Sequence, residues 1–219
     1  MEKYLSVLTS CPLFWDIQKD ELLTMLSCLG GRVASFDKKY TVLAEGGRAD
    51  YMGVVLSGSV QVVQMDYFGN RNVLGVFHRG EVFAEAFACA EVKALPVSVI
   101  AAEDCTVLFL DSRHILATCH KGCAFHKKLI YNLMRDLAKK TVAFHRRAEI
   151  ISGRTTEKKL MSYLALRAKE EGASTFLIPY DRQGLADFLE VDRSGLSAVI
   201  GRLQKQGVLL CKKNRFTLL

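Results

Sequence analysis

Residues 181–206 of the chain read DRQGLADFLEVDRSGLSAVIGRLQKQ. At a helical period they divide into two short helices joined near Glu190, where many such turns carry glycine. Asp181 and Asp192 stand where an N-cap would accept hydrogen bonds from the unpaired backbone amides of each helix. The spacing predicts a helix-turn-helix. Its apolar faces would comprise Leu185, Ala186 and Leu189 in the first helix and Leu196, Val199, Ile200 and Leu203 in the second.

The polar side of the second predicted helix favours DNA contact over a purely structural helix pair. Arg193, Ser194, Ser197 and Arg202 lie toward one side of it. An arginine fork can read guanine, serine hydroxyls suit phosphates or base edges, and a helix N-terminus favours phosphate. We therefore expect this helix to lie in the major groove of DNA.

The charge of the chain is divided unevenly along its length. Residues 1–122 carry 11 Lys and Arg against 14 Asp and Glu, whereas residues 123–219 carry 19 against 9. The net charges are therefore −3 and +10. The basic half contains the helix-turn-helix, as neutralisation of DNA phosphates requires.

Composition indicates a globular intracellular protein. The 219 residues are long enough for two domains or one large one, and half of them are hydrophobic, as in a globular rather than a disordered chain. We find no run of about twenty apolar residues and no secretory signal layout at the N-terminus, so no membrane partner is expected. The seven cysteines lack paired spacing and are typical of reduced thiols in the cytoplasm.

The first half of the chain has the pattern of a β-barrel. Residues 1–30 favour short helices, and residues 32–110 alternate short β-rich runs with glycine-containing breaks. Strands at this spacing predict a sandwich or jelly-roll. The stretch contains no phosphate-cradling loop, no nucleophile grouping and no paired acid and base, so we expect a protein that is not an enzyme.

A long helix is predicted over residues 123–151, which contain neither proline nor glycine. About 29 residues would span roughly 43 Å, so this helix packs along its own barrel, pairs with a second copy, or does both. Lys140 and Arg147 interrupt a strict heptad. The apolar stripe predicted as the dimer interface comprises Ile130, Leu133, Leu137, Phe144 and Ile151.

The C-terminal segment continues as a helix, a short strand, the helix-turn-helix and a terminal hairpin around residues 213–214. This order describes a winged helix, with Lys212 and Lys213 as further basic candidates for DNA contact. The predicted fold class is therefore α+β: a sensing jelly-roll over residues 1–122, a dimerisation helix over 123–151 and a winged helix-turn-helix over 152–219.

Over nearly its whole length the chain resembles the cyclic-AMP receptor protein / fumarate-nitrate regulator (Crp/Fnr) superfamily of bacterial transcription factors. The resemblance is carried by GEVFAEAF (80–87), PVSVIAAEDCTVLFLD (96–111), DRQGLADFLEVDRSGLS (181–197) and the closing FTLL. It implies a cyclic-nucleotide-binding-like jelly-roll and a homodimer on a palindromic operator whose half-sites lie about one helical turn apart. RNA polymerase is an expected partner.

The resemblance also implies which residues meet DNA. Gln183 aligns with a position near the DNA backbone or base edges, and Arg193, Ser194 and Ser197 align with base-reading positions. Many relatives carry arginine where this chain has Ala198. We therefore expect a half-site sequence that differs from the usual one.

The predicted effector pocket departs from the cyclic-nucleotide pattern. In relatives that bind cyclic nucleotides, a glutamate holds the ribose and an Arg-Ser pair holds the cyclic phosphate. Glu85 occupies the glutamate position here, but Leu95 and Pro96 occupy the Arg and Ser positions. A buried phosphate without such partners is disfavoured, so we expect cyclic AMP not to be the effector. The pocket, predicted from Phe83, Ala84, Glu85, Leu95, Pro96 and Val97, either takes another, more apolar small molecule or is filled by side chains.

The segment CHKGCAFH, residues 119–126, raises a further possibility. On a helix, Cys119, Cys123 and His126 would share one face, which a metal ion would need. They are equally read as small buried cysteines and a polar histidine, and that interpretation is preferred. A ligand-independent or a thiol- or metal-controlled regulator of the same fold stays as the alternative, whereas an iron–sulfur cluster is not supported by Cys11 and Cys28 alone.

Overall fold

A computed structural model of the chain describes residues 2–65, 67, 71–116 and 124–219. Its α-helices are α1 (Leu5–Ser10), α2 (Lys19–Cys28), α3 (Glu85–Cys89), α4 (Ser112–Leu116), α5 (Ala124–Ile151), α6 (Thr156–Glu171), α7 (Arg182–Leu189) and α8 (Arg193–Lys205). Its strands are β1 (Arg32–Phe36), β2 (Thr41–Leu43), β3 (Tyr51–Ser57), β4 (Ser59–Met65), β5 (Arg71–His78), β6 (Val82–Phe83), β7 (Ser98–Ala101), β8 (Cys105–Asp111), β9 (Thr175–Leu177), β10 (Leu209–Lys212) and β11 (Arg215–Leu218).

The chain divides into two compact units, Met1–Lys139 and Lys140–Leu219. The division falls inside α5, so that helix contributes residues to both units. The boundaries predicted from the sequence, at residues 122 and 151, stay a prediction. No helix in the described ranges has the length and hydropathy needed to cross a membrane.

The first unit contains the predicted jelly-roll. Two four-stranded antiparallel sheets are ordered β1-β8-β3-β6 and β2-β7-β4-β5. A tight turn at Gly58, with φ of +70°, joins β3 to β4. A Cβ at Gly58 would lie 2.2 Å from the carbonyl oxygen of Asp104, so the strands approach too closely there for any other residue.

Two apolar clusters stabilise the first unit. One fills the interior of the barrel and includes Val55, Phe83, Val99 and Val107. The other joins the outer face of β3 and β8 to α1, α2 and the first turns of α5, where Leu133 is buried. The N-terminal helices thus cover a sheet face that would otherwise expose apolar side chains to water.

Polar contacts fasten the N-terminal residues to α5. The Nδ2 of buried Asn132 donates hydrogen bonds to the carbonyl oxygens of Leu13, at 3.1 Å, and Trp15, at 2.8 Å. The Nζ of Lys128 lies 3.1 Å from a carboxylate oxygen of Asp16. A buried amide that satisfies two backbone carbonyls fixes the rotation of the helix against this unit.

The second unit is the predicted winged helix. Helices α6, α7 and α8 pack around one apolar cluster, and a three-stranded antiparallel sheet ordered β10-β11-β9 closes it. Thr155 caps α6 by accepting a hydrogen bond from the backbone nitrogen of Lys158, and Gly172 ends the helix in a left-handed conformation. These are the start and stop signals that the sequence supplies for a helix.

Candidate DNA interface and effector pocket

Helices α7 and α8 begin at the two aspartates expected as caps. A carboxylate oxygen of Asp181 accepts a hydrogen bond from the backbone nitrogen of Gly184 at 2.7 Å. A carboxylate oxygen of Asp192 likewise accepts a hydrogen bond from the backbone nitrogen of Gly195 at 2.8 Å. The hydrogen bond from Ser194, followed by that from Gly195, holds the pKa of Asp192 below its usual value, so α8 begins with an ionised cap at neutral pH.

The turn between the two helices adopts the backbone conformation that usually selects glycine. Glu190 ends α7 with φ of 54° and ψ of 55°. The Nζ of Lys159 donates to the carbonyl oxygens of Leu189, at 3.2 Å, and Glu190, at 3.3 Å. The guanidinium of Arg147 lies 3.6 Å from the Glu190 carboxylate. Lys159 thus stabilises the last carbonyls of α7, and Arg147 lies near the side chain of Glu190; both contacts offset part of the cost of a left-handed glutamate.

The outward side of α8 carries the residues predicted to read bases. Arg193, Ser194 and Ser197 are exposed, whereas Leu196 and Ile200 on the opposite side are buried. Ser194 donates its hydroxyl hydrogen bond to Asp192, and Ser197 donates to the carbonyl oxygen of Arg193 at 3.0 Å. Within the described part of the chain, the Arg193 guanidinium has no hydrogen-bonding or ionic partner. A five-donor fork is therefore available at the start of α8.

Two predicted DNA contacts are engaged inside the second unit. The Arg202 guanidinium forms an ion pair with Glu157 of α6, which turns it from the start of α8, so we omit it from the proposed contacts. The Gln183 amide donates to Asp187 at 2.8 Å, one turn along the same helix. Gln183 stays exposed and retains its carbonyl oxygen as an acceptor.

The wing adds basic residues. Lys212 and Lys213 are exposed at the tip of the β10–β11 hairpin, and Lys213 occupies the turn with φ of 57°. Arg215, opposite Lys212 in the register, is also exposed; the sequence analysis did not select it. Arg182 of α7 donates to the sulfur of Cys211 at 3.4 Å, which joins the wing to the helix-turn-helix. Only the pairing of β10 with β11 identifies Arg215 as a neighbour of the two lysines.

The residues of the predicted effector pocket lie in the first unit, and most of them are buried. Phe83, Ala84, Glu85, Leu95 and Val97 are buried, whereas Pro96 is exposed. The ring of Phe83 covers the backbone of Gly53, where a Cβ would lie 2.1 Å from the ring. Phe83 also contacts Phe77, with a centroid separation of 6.2 Å. An aromatic side chain therefore occupies the interior volume next to β3.

The turn that would face a cyclic phosphate carries no cation at the two substituted positions. Ala84 adopts φ of 61°, a left-handed conformation in which glycine would be unstrained. It is followed by buried Glu85 in the first turn of α3. Leu95 is buried in the barrel, and Pro96 offers neither a hydroxyl nor a backbone donor. Glu85 thus stands where the resemblance expects a ribose-binding glutamate, without the phosphate-binding pair.

The predicted metal set is not assembled among the described residues. Cys119 and Cys123 lie outside them. His126 is buried, and its Nε2 is 2.8 Å from the carbonyl oxygen of Ile115, which commits that nitrogen as a donor. No cluster of three or more potential ligands occurs in the ranges that the structure covers.

The apolar stripe on α5 needs a correction of one residue. Leu133 is 3% exposed and belongs to the core of the first unit, so it does not face outward. Met134 is 60% exposed, and Ile130 and Phe144 are also exposed. Leu137 and Ile151 are partly buried. The corrected seam, called the outward seam, consists of Ile130, Met134, Leu137, Thr141, Phe144, Ala148 and Ile151, of which Leu137 also packs against the core of the first unit.

Comparison with known proteins agrees with this architecture. Residues 33–121 match the cyclic nucleotide-binding domain family. Three solved structures share the fold over almost the whole chain. The first is a regulatory protein from Silicibacter pomeroyi DSS-3 proposed to bind cAMP, with 21% sequence identity, a TM-score of 0.54, and coverage of 100% of this chain and 94% of that chain. The second is the c-di-GMP-responsive global regulator CLP from Xanthomonas campestris, with 20% identity, a TM-score of 0.57, and coverage of 89% of this chain and 97% of that chain. The third is DNR from Pseudomonas aeruginosa, with 19% identity, a TM-score of 0.52, and coverage of 100% of this chain and 95% of that chain.

The chain has the Crp/Fnr fold. None of the curated protein sequences matches it significantly. In this chain, the jelly-roll and winged helix are present, the side of α8 predicted to read bases is exposed, and Leu95 and Pro96 stand where the resemblance expects a phosphate-binding pair.

Proposed function

We propose that the chain is a dimeric, sequence-specific DNA-binding transcription regulator whose effector is not cyclic AMP. The observation that carries the proposal is the exposed, unpartnered Arg193 guanidinium on the first turn of a capped α8. Placed in a major groove, an arginine at this position can donate two hydrogen bonds to guanine. Lys212, Lys213 and Arg215 on the wing would contact phosphates.

The outward seam of α5 supports dimerisation. Ile130, Leu137, Phe144 and Ile151 recur every seven residues, and Met134, Thr141 and Ala148 form the second series. Two such series at alternating steps of four and three are the pattern of a two-stranded coiled coil. With Met134 in place of Leu133, the basic positions Lys140 and Arg147 fall outside the seam. They therefore no longer interrupt the heptad.

The residues around the predicted pocket support a signal other than cyclic AMP. Binding the cyclic phosphate beside Leu95 would bury an anion without a cationic partner, and Phe83 occupies space against Gly53. We expect millimolar cyclic AMP to leave the melting temperature and DNA affinity of the protein unchanged. Saturable stabilisation by cyclic AMP in a thermal-shift titration would contradict this part of the proposal.

The DNA-binding part is tested by selecting sites from random duplex DNA with the purified full chain. We expect a two-fold symmetric sequence with half-site centres about 10 base pairs apart. Arg193→Ala should weaken binding to the selected site by about 1–3 kcal/mol and relax base choice at one position of each half-site. Arg193→Lys, which retains the charge but loses the fork, should recover only part of the affinity and should not restore base choice.

Arg79→Ala is the matched control, because it removes an arginine from the first unit. Its operator affinity should equal that of the unmodified chain. Unchanged affinity and base preference in Arg193→Ala would overturn the assignment of α8 as the reading helix.

A further inference from the structure

The second unit contains a cleft of about 450 Å³ beside the C-terminal turns of α5. We call it the aromatic cleft and define it by Phe144, Ile150, Tyr163, Pro179, Tyr180 and Phe188. Its volume lies within the range of small-molecule sites, and all of its lining belongs to one unit. Neither the reading of DNA nor the barrel pocket accounts for it.

Packed aromatic rings line the cleft. Tyr163 and Phe188 have centroids 5.1 Å apart, and Tyr180 stacks on Phe188 at 5.0 Å with an interplanar angle of 26°. Ile150 and Tyr163 are buried and form its base. Burial raises the pKa of Tyr163 to about 12, so its phenol is neutral at physiological pH. Phe144 lies at the edge, is 69% exposed in the single chain and belongs to the outward seam, so the proposed dimer would cover part of its ring.

The edge of the cleft carries more cationic than anionic groups. Arg146, Arg147 and Arg167 line it together with a single carboxylate, Glu170. Glu170 lies 2.9 Å from both Arg146 and Arg167, and Arg167 also pairs with Glu171 at 2.6 Å, so Arg146 and Arg147 are the cations less neutralised by carboxylates. The side chains of Arg146 and Arg147 are 53% and 42% exposed. Donors on both therefore remain open to solvent or to a ligand.

Arg147 is the most weakly engaged of these cations. Its terminal nitrogen lies 3.6 Å from Glu190, beyond hydrogen-bond length, and its guanidinium carbon is 5.5 Å from the centre of the Phe188 ring. Planar guanidinium groups stack on aromatic faces and pair bidentately with carboxylates. A site with ring surface at the base and guanidinium donors at the edge suits a flat, apolar body that carries one anionic group.

We propose that the aromatic cleft binds a small planar aromatic carboxylate. The rings of the ligand would cover Tyr180 and Phe188, and its carboxylate would accept hydrogen bonds from Arg146 and Arg147. This site goes beyond the proposed function and does not depend on DNA binding. It lies next to the helix-turn-helix turn, because Arg147 also faces Glu190. A carboxylate bound to Arg147 would compete with that contact.

The experiment is a calorimetric titration of the full chain with 2-naphthoate in the absence of DNA. We expect saturable binding of one molecule per chain. Arg146→Ala should weaken it about tenfold by removing charge-assisted hydrogen bonds. This variant does not leave Glu170 without a cationic partner, because Glu170 still pairs with Arg167. Tyr180→Leu, which retains apolar volume but removes the ring, should weaken binding separately. The uncharged analogue 2-naphthalenemethanol should bind about tenfold more weakly than 2-naphthoate.

Arg154→Ala is the matched control, because Arg154 is exposed in the same unit and does not line the cleft. It should bind 2-naphthoate like the unmodified chain. The proposal is overturned by absence of saturable binding up to millimolar ligand, by binding insensitive to both cleft variants, or by binding that requires a monomer-forming variant. The last result would mean that a second copy of the chain covers the cleft. Arg193→Ala should retain 2-naphthoate binding, which separates a failure of this site from a failure of the proposed function.

Discussion

Gly53 and Phe83 illustrate how a single contact fixes the barrel interior. A Cβ at Gly53 would lie 2.1 Å from the Phe83 ring, whose exposed fraction is 0%. Gly53→Ala should therefore lower the free energy of unfolding by about 1–3 kcal/mol through overpacking. Chemical denaturation measures this change. Adding Phe83→Leu should recover part of the loss, whereas Gly201→Ala, with nothing within 4 Å of the added Cβ, should not destabilise the protein.

Glu190 adopts a left-handed backbone conformation that favours glycine over glutamate. Because its φ is 54°, replacement by glycine should relieve strain of about 1 kcal/mol and offset the loss of a solvent-exposed ion pair with Arg147. Glu190→Ala loses the same ion pair but keeps the strain. We expect thermal unfolding to rank the glycine variant above the alanine variant. Equal stability of the two would contradict the left-handed turn.

Asp111 and Arg113 provide a pH-dependent contribution to stability. Hydrogen bonds from Arg113 to buried Asp111, at 2.7 and 3.0 Å, hold the pKa of the carboxyl below its usual value. A lowered folded-state pKa contributes stability above the unfolded pKa of about 4, and this contribution is lost as the pH falls through the folded value. The difference in melting temperature between the unmodified chain and Arg113→Ala should therefore be largest near neutral pH and shrink below about pH 4.

The control is Arg48→Ala, which breaks an exposed ion pair with Asp50. That pair should contribute little at any pH. A melting-temperature difference for Arg113→Ala that stays constant from pH 7 to pH 3 would contradict the role assigned to Asp111.

The contacts of individual side chains were the part of the structure least predictable from the sequence. The caps at Asp181 and Asp192 follow from local sequence, because each acts on an amide three residues away. Arg202 and His126 have contacts that the local sequence does not indicate, because their partners lie elsewhere in the chain. Glu157 precedes Arg202 by 45 residues, and the carbonyl of Ile115 is 11 residues from His126. No helical period indicates such contacts.

Helix α5 shows why an element can be predicted in extent but not in rotation. Its absence of proline and glycine predicts helix over 123–151, and Ala124–Ile151 is helical. Apolar side chains occur on two sides of it, however, because one side packs on the barrel unit and the other faces outward. Leu133 and Met134 are adjacent, and only the buried contacts of Leu133 decide which of them is available to a partner.

This assignment gives opposite outcomes for two neighbouring variants. Leu133→Ala should cost about 2–5 kcal/mol of stability, because it leaves a cavity, and should still form dimers. Met134→Glu should place two like charges in the seam and yield folded monomers. Sedimentation and chemical denaturation measure the two properties. Lys139→Glu, an exposed position off the seam, is the control for the change in charge. A dimeric Met134→Glu protein would contradict the seam.

At the scale of the whole molecule, sequence alone predicted the architecture. The strands separated by glycines, the long helix and the capped helix pair are each predicted by local sequence patterns. The comparisons show that the chain has the Crp/Fnr fold. The aromatic cleft could not be predicted, because its lining comes from α5, α6, α7 and the residues before α7. Such a set converges only after the chain has folded.

The most direct test of the central claim compares the selected operator with a scrambled duplex of equal length. Fluorescence anisotropy at physiological salt measures both affinities. A sequence-specific regulator should prefer the operator by at least about 10³-fold, with two chains bound per duplex. Equal affinity for both duplexes, falling together as salt is added, would show that the +10 charge of residues 123–219 accounts for all binding. That result would contradict the proposal that α8 reads a base sequence.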